Sequence, residues 1–540
     1  MPKIIELRPN KELVNVKFEK YQFSPEVVPI TEEINLSKNV IHLEPSVGQD
    51  SLLEARLFAF HNHLFQSPYD DSCWFFDNDE NLWCLQSTQT LHHVHSLPKP
   101  NPKSYNSTIA FASPSVSVLS NGGNALQVLV KNQDHQNVIS IEEINSGILM
   151  AARHVLEDDS LVIVLVSIVE ENSKKRSKLI VLHYSMKNCE STSDLAIEFS
   201  RRQELMVNGA VDYVQVESSG GFLDVLSGDM AKFTHDSVKP IAGDTSTDKT
   251  DVKIPKYYWS QDEDSLTVWL KIPERLGDAV VDVRVTATSL AVALGDSILM
   301  QGNTPFRIDD GTATWSRDQD IFRLEVMKQE IGQMWNELIK GDAGGELLPN
   351  EKLAAEIHSR LSHLCTDQPE DAPAQPAIGF NAEQLEECDL EGDQSYLQRI
   401  DLQEHLTTHL ALLGNNNRLL FTQAHRLCIR QDHDGCVWRL VEDPTDWTVQ
   451  HESSLPGFGY VEASKSNKKF CVCPRNGHYV AIIEHNRHSF IYAKPGLDAR
   501  VSKQQIVDLG SESLPIMGAI ATDDYLVLLT QNKLYRLKVN

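Results

Sequence analysis

Cysteine is scarce in this chain, nine among 540 residues, odd in number and without framework spacing, so no disulfide-built scaffold is expected and a reducing compartment is. Long apolar runs are missing too. The longest, Leu161 to Val169 (LVIVLVSIV), falls far short of the roughly 20 residues that a membrane-spanning helix needs, and reads as a buried strand. The opening MPKIIELRPNKELVNVKFEK has no apolar core followed by a cleavage site, so no secretory signal is expected. Positive charge is the third shortage. Lys and Arg number 49 against 76 Asp and Glu, and the formal charge of −27 repels a phosphate backbone and an anionic lipid surface alike. Neither nucleic acid nor membrane is an expected partner.

Catalytic signatures are absent as well. There is no glycine-rich phosphate loop, nucleophile elbow or zincin helix, and Gly122-Gly123, Gly220-Gly221 and Gly344-Gly345 lack a following lysine or fingerprint spacing, so they read as turns. Cys471-x-Cys473, with His478 and His485 nearby, offers one thiol pair but no second, and its alternation fits a strand with two thiols on one face. His61 with His63, and the group His92, His93 and His95, have no acidic or thiol partner at ligand spacing and read as strand or loop histidines. No metal, cofactor or catalytic residue is expected, and the protein is expected not to be an enzyme.

What is present is strand signal. Short β-branched or aromatic runs separated by Asn, Asp, Gly and Ser clusters fill the chain to about residue 250, the pattern of a sandwich, barrel or propeller. One unit recurs: Trp74-Phe75-Phe76, a turn, then Asn81 to Leu85; Leu161 to Val169, a turn, then Leu179 to Tyr184. It returns as Leu427-Cys428-Ile429 with Cys436 to Leu440, as Val480 to Ile483 with Phe490 to Tyr492, and as Tyr525 to Leu529 with Leu534 to Leu537. Repeated hairpins suggest propeller blades, each small sheet burying its faces against its neighbours; unrelated antiparallel hairpins are the alternative. If the hairpins form one ring, the strand near Leu534 closes it against an N-terminal strand such as Val14 to Phe18.

The middle of the chain differs. After the polar stretch Asp244 to Asp251, Leu266, Val268, Leu270 and Ile272 alternate with Thr267, Trp269 and Lys271. Val281, Val283 and Val285, then Leu290, Val292 and Leu294, then Phe322, Leu324 and Val326 continue the period of two, which predicts a self-contained antiparallel sandwich. Pro349 opens a helix with an apolar stripe of Leu353, Ile357, Leu361 and Leu364, followed by the acidic, proline-rich Thr366 to Pro376 and the acidic Glu383 to Glu391.

Tyr257-x-Trp259-x-Gln261, the strand from Leu266, Val292-x-Leu294-Gly295 with Ile298, Leu299 and Gly302, Trp315-Ser316, Phe322-x-Leu324-x-Val326-x-Lys328 and Met334-Trp335-Asn336-Glu337-Leu338 follow one another in an order that resembles the CS domain of the nuclear distribution protein C (NudC) family. The resemblance implies a seven-stranded β-sandwich and co-chaperone work on client proteins, propeller-type clients among them, alongside the ninety-kilodalton heat-shock chaperone. Two departures stand out: no heptad pattern for self-association appears, so a monomer is expected, and Met334 stands where family members carry the first of two tryptophans.

The fold expected is therefore all-β: a propeller-like body built from residues 1–250 and 381–540, with a CS domain at 253–340 inserted and a helix and acidic linker at 341–380. Trp259 and Trp315 are expected in the core. Met334, Trp335 and Leu338 are the candidate partner-binding patch, because they follow the last strand and aromatic anchors dominate interfaces. A cytoplasmic co-chaperone or adaptor, with nuclear residence also open, is the expected function; a propeller scaffold without chaperone activity is the alternative.

Overall fold

The computed structural model describes residues 2–241, 257–271, 281–318, 321–347 and 395–539, apart from 87–89, 102–103, 132–135, 142–146, 172–173, 189–194, 295–296, 341, 343–344, 415–416, 424, 444–446 and 466. The stretch 244–251, the helix with the Leu353 stripe and the acidic segments 366–376 and 383–391 lie outside the described residues. The chain forms two compact units, one of Met1–Ile241 with Ile378–Asn540 and one of Ala242–Ala377.

Among the described residues the first unit holds seven small sheets. Blade one is Phe65–Gln66, Cys73–Phe76, Asn81–Leu85 and Leu91–Ser96; blade two is Thr108–Phe111, Val116–Ser120, Leu126–Lys131 and Gln136–Ile141. Blade three is Ile148–Val155, Ser160–Glu171, Lys174–Asn188 and Leu195–Val207, with Lys232–Asp236 on its outer edge. Blade five is Leu419–Gln423, Arg426–Gln431, Asp434–Val441 and Thr448–Leu455; blade six is Lys468–Val472, Tyr479–Glu484, His488–Ala493 and Val501–Asp508. In blade four Val211–Val216 and Phe222–Ser227 come from one side of the insertion, Ser395–Asp401 and Leu406–Leu413 from the other. Phe222–Ser227 pairs antiparallel with Ser395–Asp401, Ser227 opposite Tyr396, so along the chain the second unit is inserted between this blade's two central strands.

The sheets are bound into a ring because both faces of each are apolar. Ser160–Glu171 is buried almost continuously from Leu161 to Ser167: Leu161, Ile163 and Leu165 pack with Val118 and Val128 of blade two, Val162 and Val164 with Val214 and Val225 of blade four. The same sharing recurs around the ring, from Phe76 and Leu119 between blades one and two to Leu226 and Trp438 between four and five. Cys428 and Ile482 join five to six, and Ile483 and Leu528 join six to seven. Phe75 and Val527 join seven to one, which closes the circle.

Blade seven shows how. Its C-terminal strands Ile516–Ala521, Tyr525–Thr530 and Lys533–Lys538 are completed by Ile30–Asn35, with Ile34 opposite Leu534. The closing strand is therefore not Val14 to Phe18. There Asn10 caps the short 3-10 turn Lys11–Leu13, and Asn15 donates to the Gly496 and Ala499 carbonyls at 3.0 and 2.7 Å, which turns the chain instead of extending it. Lys3–Ile5 and Lys20–Phe23 add parallel outer strands to blades four and six. Glu19, Glu26 and Glu33 of this N-terminal run face Arg500, Lys503 and Lys533 in pairs open enough to solvent to add little stability, while Glu32 faces Arg536 in a more buried one.

Between blades seven and one the chain crosses the ring. Leu43 N–H bonds the Asn106 side chain ahead of blade two, and helix Leu52–Ala59, started by a Ser51/Glu54 capping box, pairs Arg56 with Asp212 of blade four at 2.6 Å. Phe58 stacks on Tyr105, and His63 N–H returns the chain to the Met517 carbonyl of blade seven.

The second unit is a sandwich. Ile308–Asp318, Ile321–Lys328, Ser265–Lys271 and Tyr257–Gln261 form one sheet, with Gly345–Leu347 parallel to the last; Val281–Thr286, Ser289–Leu294 and Ser297–Asn303 form the other. Gly345–Leu347 is one strand beyond the seven that the resemblance implies.

Candidate functional site

The sandwich core is a single cluster that includes Trp259, Val268, Leu270, Leu290, Val292, Phe322 and Leu324. Alternation along Tyr257–Gln261 puts Tyr257, Trp259 and Gln261 on the inward face. Gln261 there acts as a substitute strand: its Nε2 donates to the Trp335 carbonyl at 2.8 Å and its Oε1 accepts the Trp335 N–H at 2.8 Å. Lys328 Nζ, itself buried, donates to Gln261 Oε1 at 3.0 Å and to the Asp262 and Gln333 carbonyls at 2.7 and 2.8 Å. Burial lowers the Lys328 pKa, against the opposing pull of Asp262 and Asp264. Gly302 completes the arrangement, since a Cβ there would lie 2.2 Å from the Ile339 side chain.

This network fixes where the candidate patch goes. Trp335 is 2% and Leu338 1% exposed, both in the core cluster, whereas Met334 is 49% exposed. The three do not form one exposed surface: the Gln261 clamp turns the indole inward and leaves Met334 outside. Phe306, 41% exposed, has its ring centroid 5.9 Å from that of Trp335, and Gln329 N–H to the Arg307 carbonyl ties the two loops together. Exposed apolar surface at this end thus belongs to Phe306, Ile331 and Met334.

Trp259 is buried as expected; Trp315 is not, at 51% exposed. Among the described residues it lies on the edge strand of its sheet, so it stacks on Phe322 and stays half open. The outward face of the same sheet carries a row that sequence reasoning passed over: Tyr258 opposite Trp269, both half-buried, and Trp269 opposite the exposed Arg323. An aromatic on the polar side of an alternating strand was the signal. Elsewhere, His92 and His93 are exposed on the outer strand of blade one, His61 and His63 are buried at the ring's closure, and Cys471 lies in the first strand of blade six with Cys473 just beyond it.

Comparison with known proteins bears on the whole chain. A mouse NudC domain-containing protein 1 is 28% identical over 99% of this chain and 98% of its own, and one from Xenopus tropicalis 26% over the same shares. Over its whole length the chain resembles NudC domain-containing protein 1, a NudC-family, CS-domain protein. No protein-family model matches the chain. Among solved structures, a nuclear movement protein from E. cuniculi is 20% identical, covering 16% of this chain and 98% of its own at a TM-score of 0.14. The opening motif Tyr257-x-Trp259-x-Gln261 supplies core and clamp, while Phe306, Ile331 and Met334, with the half-buried Tyr258 and Trp269, supply apolar surface outside the core.

Proposed function

We propose that the protein is a non-enzymatic co-chaperone or adaptor that binds client proteins through its CS domain, with the ninety-kilodalton heat-shock chaperone as a further partner and the propeller body selecting the client. The observation that carries this reading is the pair Tyr258 and Trp269, side by side on the outward face of a sandwich that already has a complete core. Aromatic side chains offer large contact area at low entropic cost, and neither of these two belongs to the sandwich core cluster. The reading implies a monomer in the cytoplasm or nucleus; no helix among the described residues is long and apolar enough to cross a membrane. The closed ring, complete in itself, favours a second reading as a scaffold for a stable complex.

Affinity purification of the full chain, beside Trp269→Ala and a variant lacking residues 253–340, separates the two. Clients held through the module disappear from both variants, and their abundance falls when the heat-shock chaperone is inhibited. Partners that survive module deletion and chaperone inhibition alike would reject the co-chaperone reading and leave the scaffold.

A further inference from the structure

We propose that His42, His61 and His63 form an acid-sensitive latch on the crossing between blades seven and one, closed at neutral pH and released as the surroundings acidify. The three belong to the segment that closes the ring. Its Leu36 and Val40 N–H groups bond the Asn532 and Gln531 carbonyls of blade seven at 2.9 and 2.8 Å. The Asn62 side chain accepts the Ala519 N–H at 3.0 Å and donates to the Ala519 carbonyl at 2.8 Å. Val40 and Leu64, on either side of the three histidines, are buried in the core that joins blade seven to blade one.

The packing has no place for added charge. His61 and His63 are buried and His42 is half-buried. His42 Nδ1 lies 3.2 Å from His63 Nε2, and the His61 ring stands edge-on to the His63 ring with centroids 4.5 Å apart. The His42–His63 bond needs one of its two nitrogens without a proton, so it cannot form once both rings are charged. Among the described residues, the groups that act on the three from packed elements are Lys469 and His485 of blade six and the Ser107 backbone, and no carboxylate is one of them. An imidazolium here would therefore face Lys469 and repel the next imidazolium.

Burial is the largest effect on each ring. It pushes the His42 pKa down to about 4 and that of His61 to about 3, and holds His63 well below the ordinary value of about 6.5. With the folded values depressed, the stabilisation is fully present above pH ~6.5 and is lost as the pH falls below it, because the opened segment takes up protons that the closed one refuses. Each such proton multiplies the opening constant about tenfold per pH unit, so three rings released together approach a thousandfold between pH ~5.5 and ~4.5. Acid thus opens the ring at its closure before it melts the blades.

Hydrogen-exchange mass spectrometry of the full chain at pH ~7, ~5.5 and ~4.5, corrected for the intrinsic pH dependence of exchange, tests this. Opening is expected to rise steeply in residues 36–42 and 60–66 and to hold steady in residues 161–167 of blade three. His61→Phe and His42→Gln each remove one titrating ring and should each cut the rise about tenfold per pH unit. Thermal unfolding at neutral pH identifies a variant that misfolds, and the other then decides. Unchanged protection down to pH ~4.5, an equal rise in all three segments, or the full wild-type rise in a folded variant overturns the proposal.

Discussion

In the ring no blade owns its core, whereas in the sandwich one cluster serves the whole module. Val162 and Leu161, adjacent on one strand of blade three, are buried by different neighbours, blade four and blade two. In the sandwich Trp259, Phe322 and Trp335, from its first strand, its last long strand and the loop after it, meet in a single cluster. The difference explains the chain order. A module that completes its own core can be inserted in the chain between a blade's two central strands, after Ser227 and before Ser395, because the ring asks only that the two strands meet again.

The strongest way to break this comparison is to divide the ring. Residues 1–250 alone contain only the first two main strands of blade four and lack the partners of Phe75 across the blade seven junction, leaving apolar faces and sheet edges open. Insoluble protein with no cooperative thermal transition is expected. A soluble fragment that unfolds cooperatively would show that the N-terminal blades hold without closure.

How much of this was legible follows from the same contrast. The five hairpins read from sequence, such as Trp74 to Leu85 and Leu427 to Leu440, are the central strand pairs of blades one, three, five, six and seven, where burial on both faces makes apolar runs dense. Blade two escaped because Val116–Ser120 and Leu126–Lys131 interleave Ser and Gln with the apolar residues. Blade four could not be read as a hairpin at all, its central pair being split by the insertion. In the sandwich, alternation placed Leu266, Val268 and Trp259 inward, but period two says nothing of an edge, so Trp315 was misassigned. Nor does it reach a loop residue: Trp335 is buried by a side-chain clamp from Gln261, a contact between residues far apart in sequence.

A sharper test stays inside the sandwich. Trp335→Ala removes a buried indole, and large-to-small changes of this kind cost about 3 to 5 kcal/mol through transfer and cavity terms. Because the core is separate, differential scanning calorimetry of the full chain should show the sandwich transition shifted down and the ring transition unmoved. A shift of both would mean that the two cores are energetically coupled.

The smallest effect is expected where the ring is braced beside the departing chain. Asp236 ends the outer strand of blade three shortly before the insertion, and its enclosed carboxylate receives Arg201 at 2.6 Å, Gln203 at 2.8 Å, His405 of blade four at 2.6 Å and the Val238 and Lys239 N–H groups at 2.9 and 3.1 Å. Burial alone would raise its pKa; Arg201, the Val238 N–H, His405 and the Lys239 N–H override it, and the carboxyl is held well below the usual carboxylate range. With the folded pKa depressed, the unfolded chain takes up the proton first, so the stabilisation is fully present above the ordinary carboxylate pKa of about 4 and is lost as the pH falls below it. Asp236→Asn keeps the shape but not the charge, and should cost the ring about 1.5 to 3 kcal/mol at neutral pH, the usual worth of a hydrogen bond to a charged group. Denaturant unfolding of both proteins between neutral pH and pH ~3 should show that gap closing as wild-type Asp236 loses its advantage. A gap that stays constant with pH would locate the cost in shape or packing, and the exit from the ring would then be braced by something other than charge.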